Sequence, residues 1–197
     1  MKTLLQALIA VCLLLDVTLD AEAYDGSRKG FILGGALGTG VTSYTEEYTV
    51  QRTSETGEPY DVTIKTDRKN EISLMTDFKI GYAPTEQMEL YYCSKLSWFG
   101  KDFATFVNGL NSAGLSYYFR PKTPSLYLSG GLGLAVLADP FDNDPDTWTG
   151  FGFFAGAGYE FTSHLAVEFD LMYSQPEEGG DVFKGIVPRV VFVATAF

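Results

Sequence analysis

Seven charged side chains occupy alternate positions in runs that are otherwise small or apolar: Asp77, Lys79, Glu89, Lys95, Glu160, Glu168 and Asp170. This spacing places each of them on one side of a β-strand, opposite the large apolar side chains. Inside a closed fold such ions must be paired or hydrated, because an isolated buried charge is very costly. The set is therefore either a selectivity or gating network or a plug of salt bridges that fills a narrow interior. We favour the plug.

These charges do not balance, since five of them are acids and two are lysines. The imbalance predicts that a further basic residue turns inward, with Arg120, Lys184 and Arg189 as the candidates. The alternative is that one carboxylate stays protonated.

Arg189 poses a problem of direction on the last alternating run. Counting back from an outward Phe197 points Arg189 outward as well, and Pro188 cannot donate a ladder hydrogen bond. A bulge at Pro188 would solve both problems. We therefore predict that Arg189 faces inward and pairs with Glu168 and Asp170 on the adjacent strand.

Metal binding and catalysis have weaker support in the sequence. Asp142, Asp144 and Asp146 match the first positions of a calcium loop, but Thr147 replaces its glycine and Phe153 its bidentate glutamate. They remain weak metal candidates within an acidic, solvated segment.

His164 is the single histidine of the chain and follows Ser163 directly. Neighbouring residues on a strand point apart, so these two do not form a nucleophile and base. We predict no catalytic residue and no cofactor, and we interpret Cys93 as an inward, packed thiol.

Eight runs of alternating character follow the first 23 residues and predict an all-β chain. They span 30–42, 71–82, 88–98, 105–120, 125–137, the two halves of 148–174, and 183–197. Asn108, Gly109 and Asn111 blur the start of the fourth run and suggest a bulge there. The even number of runs predicts an eight-stranded antiparallel up-and-down barrel.

The connections between these runs alternate in length. Longer polar segments at 43–70, 99–104, 138–147 and 175–181 alternate with short turns at 83–87, 121–124 and 163, which places all the longer loops at one end. Alternation resumes at 45–53 and 60–65, which favours a hairpin that extends beyond the barrel over a disordered loop.

The N-terminus has the pattern of a secretory leader. Lys2 precedes an apolar stretch at 4–15, and Ala21-Glu22-Ala23 matches a cleavage site, so we expect a leader at 1–23 and one domain at 24–197. The formal net charge is −11 for the whole chain and −9 without the leader. An acidic chain without a basic stripe is a poor candidate for binding nucleic acid.

The large apolar face points either into a soluble core or out into lipid. Aromatic residues collect at both of its ends, which favours two interfacial girdles: Phe31, Tyr82, Phe119, Phe161 and Phe197 at the turn end, and Trp98, Trp148, Phe151 and Tyr173 at the loop end. Eight strands also enclose a space that small residues and a few charges fill better than many large apolar groups. We therefore predict a transmembrane barrel rather than a soluble one.

At this point the strand patterns resemble a known family. The segment Gly30-Phe31-Ile32-Leu33-Gly34-Gly35, together with residues 130–135, 156–160 and 164–173, is similar to the small OmpA-like and opacity-type outer-membrane β-barrels. Phe197 resembles the terminal aromatic of the signal read by the outer-membrane assembly machinery; Val191 and Val193 fit that signal, and Thr195 departs from it. The peptidoglycan-binding domain of OmpA itself is missing, so wall anchoring is not carried over.

The resemblance implies an integral protein of a Gram-negative outer membrane, in contact with lipid, lipopolysaccharide and the assembly machinery. We expect a structural or surface-interaction role, with a host or cell-surface ligand bound through the loops at 43–70 and 138–147. The alternative is a small conduit for hydrophobic compounds or ions, as in OmpW-like porins. Lipid A-modifying enzymes also use this scaffold, but the position of His164 disfavours that reading.

Overall fold

The computed structural model describes residues 27–55, 57–101, 104–142 and 146–197, which contain nine β-strands. The predicted leader at 1–23 lies outside the described residues. The strands are β1 (Gly30–Thr53), β2 (Pro59–Lys65), β3 (Lys69–Thr85), β4 (Met88–Lys101), β5 (Ala104–Tyr118), β6 (Ser125–Ala138), β7 (Thr147–Thr162), β8 (Leu165–Glu178) and β9 (Asp181–Ala196).

Antiparallel pairing between sequential neighbours runs from β3 to β9, and β1 pairs with both β3 and β9. These eight strands of the described chain therefore close on themselves, while β2 pairs with the end of β1 outside the ring. The predicted eight-stranded antiparallel barrel is confirmed. In the described part of the chain, no helix has the length and apolar character needed to cross a membrane.

The two faces of each strand differ as the alternation predicts. Large apolar side chains point outward and are solvent-exposed in the isolated chain, with Ile72 at 84%, Phe192 at 66% and Leu132 at 63%. Glycines provide room for the few large rings inside. Tyr127 lies directly opposite Gly158 and Tyr91 opposite Gly114, where a Cβ on either glycine would collide with the tyrosine ring.

The first hairpin extends beyond the barrel, as predicted. β1 pairs with β3 up to Tyr44 and then with β2 from Glu47 to Thr53. A tight turn ends the hairpin, where Gly57 has a φ of +84° and its amide donates to the Ser54 carbonyl at 3.0 Å. Because β-structure continues past the ring, this loop is an ordered projection.

At the same end, two other connections are shorter than the sequence predicts. β4 and β5 run to Lys101 and Ala104, and β8 and β9 run to Glu178 and Asp181, so most of 99–104 and 175–181 is strand. Gly179 and Gly180 form the last connection, with φ of +60° and +96°. These polar segments are therefore the ends of strands that extend beyond the apolar part of the barrel wall, and not long loops.

The structure also differs from the prediction at both ends of the fourth run. β5 ends at Tyr118, before the expected Arg120. It pairs with β4 in one continuous register from Ala104 to Tyr117, so the bulge expected at 108–111 is wrong.

The last strand corrects the prediction for Arg189. β9 pairs with β8 in a single register through Pro188 and Arg189, so the predicted bulge is wrong. Arg189 nevertheless faces inward. Phe197 has the same parity on this strand and is also inside, with 6% of its surface exposed. The error was the assumption that the terminal aromatic points outward.

Trp148 is a second such correction. It shares the parity of Gly152 and Phe154 on β7 and packs against a buried cluster inside the loop end of the barrel. Trp148 and Phe197 therefore do not belong to the outer girdles assigned to them.

The tyrosine–glycine packing gives a test of the interior. Gly158→Ala places a Cβ against the Tyr127 ring, which is buried and packs on Tyr118, so overpacking should lower the free energy of unfolding by about 1–3 kcal/mol. The matched control is Gly130→Ala on β6, where a Cβ would meet the Phe154 carbonyl at 3.4 Å and should be nearly neutral. Urea unfolding of the reconstituted protein measures both; equal effects would contradict this packing.

Candidate functional site

The centre of the barrel holds a network of five ionisable groups. Lys95 Nζ donates to Glu168 Oε1 at 3.1 Å, Asp170 Oδ2 at 3.0 Å and Asp77 Oδ2 at 3.2 Å. Arg189 pairs with Asp77, and its Nε lies 3.4 Å from Asp170 Oδ1. Two bases thus hold three carboxylates together.

Strand register explains why these groups meet. Asp77 lies opposite Lys95 across β3 and β4, and Asp170 lies opposite Arg189 across β8 and β9. Gly156 on β7 faces Asp170 from the other side, where a Cβ would approach the Asp170 Cβ to 2.7 Å. Alternating parity directs each charge inward, and a small neighbour leaves space for it.

A second charged cluster lies toward the turn end. Lys79 Nζ donates to Glu89 Oε2 at 3.0 Å, and the Tyr118 hydroxyl donates to Glu89 Oε1 at 3.1 Å. Arg28 pairs with Glu160 and lies over the Tyr118 ring, 4.2 Å from its centroid. The seven sequence-predicted lumen charges and Arg189 therefore all point into the barrel, where they form two groups.

Arg28 is the base that sequence reasoning missed. It precedes the first alternating run, so strand parity could not assign it a direction. Of the three predicted candidates, Arg189 is buried inside, Arg120 is exposed, and Lys184 pairs with Glu47 beyond the charged layers at 2.8 Å. Among the described residues, five interior carboxylates thus face four basic side chains.

Between the two clusters lies a small cavity of about 30 Å³, lined by Lys79, Tyr91, Cys93, Lys95 and Ser116 among others. This volume is comparable to the space that one water molecule takes up. Cys93 is a free, buried thiol at its wall, and its Sγ lies 3.1 Å from the Ser112 hydroxyl.

Aromatic side chains close the interior toward the loop end. Tyr44 stacks on Phe183 at 5.0 Å between ring centroids, and Phe99 packs on Tyr44 at 5.5 Å. Leu137 completes the buried cluster, with Phe106 and Trp148 packed against it. The interior is therefore filled by a charged centre below an aromatic layer.

Above the aromatic layer, the mouth of the barrel is open and charged. Two adjoining cavities of about 410 and 220 Å³ share Glu46, Lys101 and Trp148, and Lys101 pairs with Glu46. Hydrogen bonds from Lys184 and Lys65 lower the pKa of the Glu47 carboxyl below its usual value, so Glu47 stays ionised at neutral pH.

The weak metal candidates lie at this mouth. Asp142 and Asp146 line the smaller cavity, and Asp144 lies outside the described residues. In the part of the chain with assigned positions, no three His, Cys, Asp or Glu side chains gather as a metal site would require.

His164 lies in the turn between β7 and β8. Its Nδ1 is 3.0 Å from the Thr195 carbonyl oxygen, and its ring packs 5.7 Å from the Phe197 ring. These contacts fix the end of β9 to the turn, which is a structural use of the imidazole.

Solved structures share this architecture. The Neisserial surface protein A (NspA) superposes with a TM-score of 0.55 at 14% identity, over 85% of this chain and 97% of that one. Weaker likenesses are to Ail of Yersinia pestis (TM-score 0.42, 13% identity, 84% and 99% covered) and OprG of Pseudomonas aeruginosa (0.45, 15%, 86% and 96%). At 14% identity the likeness to NspA establishes the fold alone, that of a small eight-stranded β-barrel.

No protein-family model matches the chain, and no curated protein matches it significantly.

The central network predicts a large stability effect from a single lysine. Lys95→Met removes the cation that contacts three carboxylates and should destabilise the barrel by about 3–5 kcal/mol. Lys65→Met, at a pair whose lysine is 61% exposed, should cost less than about 1 kcal/mol.

Urea unfolding in lipid vesicles compares the two variants. Adding Glu168→Gln to Lys95→Met should recover part of the loss, because Asp77 and Asp170 keep Arg189 nearby and Glu168 is the carboxylate left without its cation. A Lys95→Met protein as stable as the wild type would contradict the proposed role of the network.

Proposed function

We propose that this chain is an integral outer-membrane barrel whose closed interior serves as a rigid scaffold for a surface formed at the loop end. The observation that carries the proposal is the continuous outward belt of large apolar side chains around a charged interior. A soluble barrel would reverse this arrangement, because exposed apolar belts of this size drive association in water.

The aromatic residues of the belt support a membrane position. Near the turn end, Phe31 lies opposite Tyr82, and Tyr117 packs edge-to-face on Phe119. Near the loop end, Phe153 stacks on Tyr173 at 5.3 Å. Two such girdles, with aliphatic residues between them, match the interfacial and hydrocarbon layers of a bilayer.

The closed interior favours a surface role over transport. The central salt bridges and the aromatic cluster around Tyr44, Phe99 and Phe183 leave a cavity of about 30 Å³ between the charged groups. A conduit for ions or hydrophobic compounds needs a continuous path, which these two layers interrupt. The conduit remains the rival proposal.

The loop end supplies the contact surface in this proposal. The β1–β2 hairpin projects beyond the ring and exposes Tyr48 and Tyr60, and acidic residues surround the mouth. Carboxylates there suit divalent cations that bridge to lipopolysaccharide, or a cationic ligand on a cell surface. The similarity in fold to a protein named as a surface protein supports this role.

Export and assembly complete the proposal. The leader at 1–23 would direct the chain across the inner membrane, and Phe197 would be read by the assembly machinery. Because the Phe197 ring lies inside the folded barrel, we propose that it is read before the barrel closes. The proposal includes no catalytic role, since His164 is held by the end of β9.

Membrane fractionation with a gel of unheated and boiled samples tests the proposal. The protein should sediment with outer membranes, and the unheated band should migrate differently from the boiled one, because a closed barrel resists detergent. A soluble protein whose band is insensitive to heat would overturn both the assignment of the chain as a membrane barrel and its proposed location in the outer membrane.

Planar-bilayer recording separates the scaffold from the conduit. The wild-type protein should carry no steady current, because the salt bridges and aromatic layer block the lumen. Phe99→Ala serves as a control that removes one ring of the aromatic layer and leaves the central network intact. Steady conductance of the wild-type protein would support the conduit instead.

A further inference from the structure

Arg28 makes the densest set of contacts at the turn end of the barrel. Its Nε donates to both Glu160 carboxylate oxygens at 3.1 Å, and its Nη2 also pairs with Glu160. Its Nη1 donates to three carbonyl oxygens, those of Glu86 at 2.9 Å, Arg120 at 3.1 Å and Pro121 at 3.0 Å. With 2% of its surface exposed, Arg28 is as buried as the barrel interior.

The backbone around Arg28 is held by side-chain contacts and not by a strand ladder. Ser27 and Arg28 precede β1. The Ser27 hydroxyl donates to Glu86 Oε1 at 2.5 Å, and the Arg28 amide donates to Glu86 Oε2 at 2.9 Å. This segment therefore crosses the opening and joins the β3–β4 turn, the β5–β6 turn and β7.

A column of polar and aromatic groups leads inward from Arg28. The Tyr118 ring lies directly behind the guanidinium, and Tyr127 packs on Tyr118 at 4.8 Å between centroids. Beyond them come the Lys79–Glu89 pair and then the cavity with Cys93 at its wall. Arg28 is the outermost member of this column on the turn side.

We propose that Arg28 is a releasable latch that controls access from the turn end to the cavity at Cys93. Release breaks contacts of one side chain and of Glu86 but no strand pairing, since neither Ser27 nor Arg28 belongs to a strand. By contrast, each partner of the central network is fixed on a barrel strand. The turn end is thus the side of the interior that can open while the barrel stays closed.

The opened vestibule favours small cations. Withdrawal of Arg28 leaves the Glu160 carboxylate without its partner and brings the Glu89 carboxylate closer to solvent, so the entrance becomes negative. The Lys95 network then marks its inner end. This extends the proposed scaffold by giving it a chamber that opens on the turn side only.

Cys93 provides a built-in reporter for the latch. We would measure modification of Cys93 by a small cationic methanethiosulfonate reagent and by its anionic sulfonate counterpart, with the Cys93 peptide quantified by mass spectrometry. The wild-type protein should react slowly, because its thiol is buried. Arg28→Ala should react at least about tenfold faster, since labelling follows the population of the open state, and the cationic reagent should gain more than the anionic one.

Matched variants separate the latch from a general loss of stability. Arg120→Ala removes an exposed arginine at the same end and leaves its carbonyl acceptor in place, so labelling should match the wild type. Glu160→Gln should accelerate labelling as Arg28→Ala does. Arg28→Lys, which keeps a cation that can donate to Glu160, should label more slowly than Arg28→Ala. Heat-dependent gel migration reports whether each variant is folded.

Two results would overturn the latch. One is a folded Arg28→Ala protein whose Cys93 reacts at the wild-type rate with both reagents. The other is faster labelling in Phe99→Ala but not in Arg28→Ala, which would mean that access to Cys93 comes from the loop end. If Arg28→Ala does not fold, Glu160→Gln and Arg28→Lys decide between the same outcomes.

Discussion

The pairing of ionised side chains inside a space too narrow for bulk water is the constraint on which this structure depends. Eight strands enclose a volume that side chains just fill, and an unpaired ion there would cost several kcal/mol. Lys95 meets this constraint by contacting three carboxylates from two strands, β3 and β8, and Arg189 supplies the second positive charge of the network. Glycines beside these groups follow from the same lack of space, because larger residues would displace the charges they adjoin.

The filled interior explains the division of the molecule into an inert wall and two different ends. Along the wall, the side chains that face outward are mostly apolar and present few polar groups for recognition. At the loop end, strands continue past the aromatic cluster of Tyr44, Phe99 and Phe183 into a projecting hairpin and an acidic mouth. At the turn end, Arg28 covers the interior with contacts outside the strand ladder. We propose that the loop end serves recognition and that the turn end controls access to the interior.

Strand periodicity made much of this predictable from the sequence. A two-residue repeat over long runs determines both the number of strands and the direction of each charged side chain. The eight strands and the inward direction of the seven charged side chains between Asp77 and Asp170 therefore followed from the pattern alone. The pattern fails where a residue is assigned by its type. Trp148 and Phe197 were placed outward because aromatics favour interfaces, yet their parity puts them inside. Arg28 lies outside any repeat, so its partner Glu160 could be recognised only from the folded chain.

Site-directed spin labelling along β7 tests whether an apolar wall faces lipid around a filled, charged interior. Nitroxides at 151 to 159 would be compared for collisions with oxygen, which concentrates in lipid, and with a water-soluble nickel complex. An apolar wall in lipid predicts high oxygen accessibility at the odd positions, where Phe151, Phe153 and Tyr159 face outward, and low accessibility to both reagents at the even positions. Nickel accessibility at the odd positions, or loss of the two-residue period, would contradict an apolar wall facing lipid around a filled, charged interior.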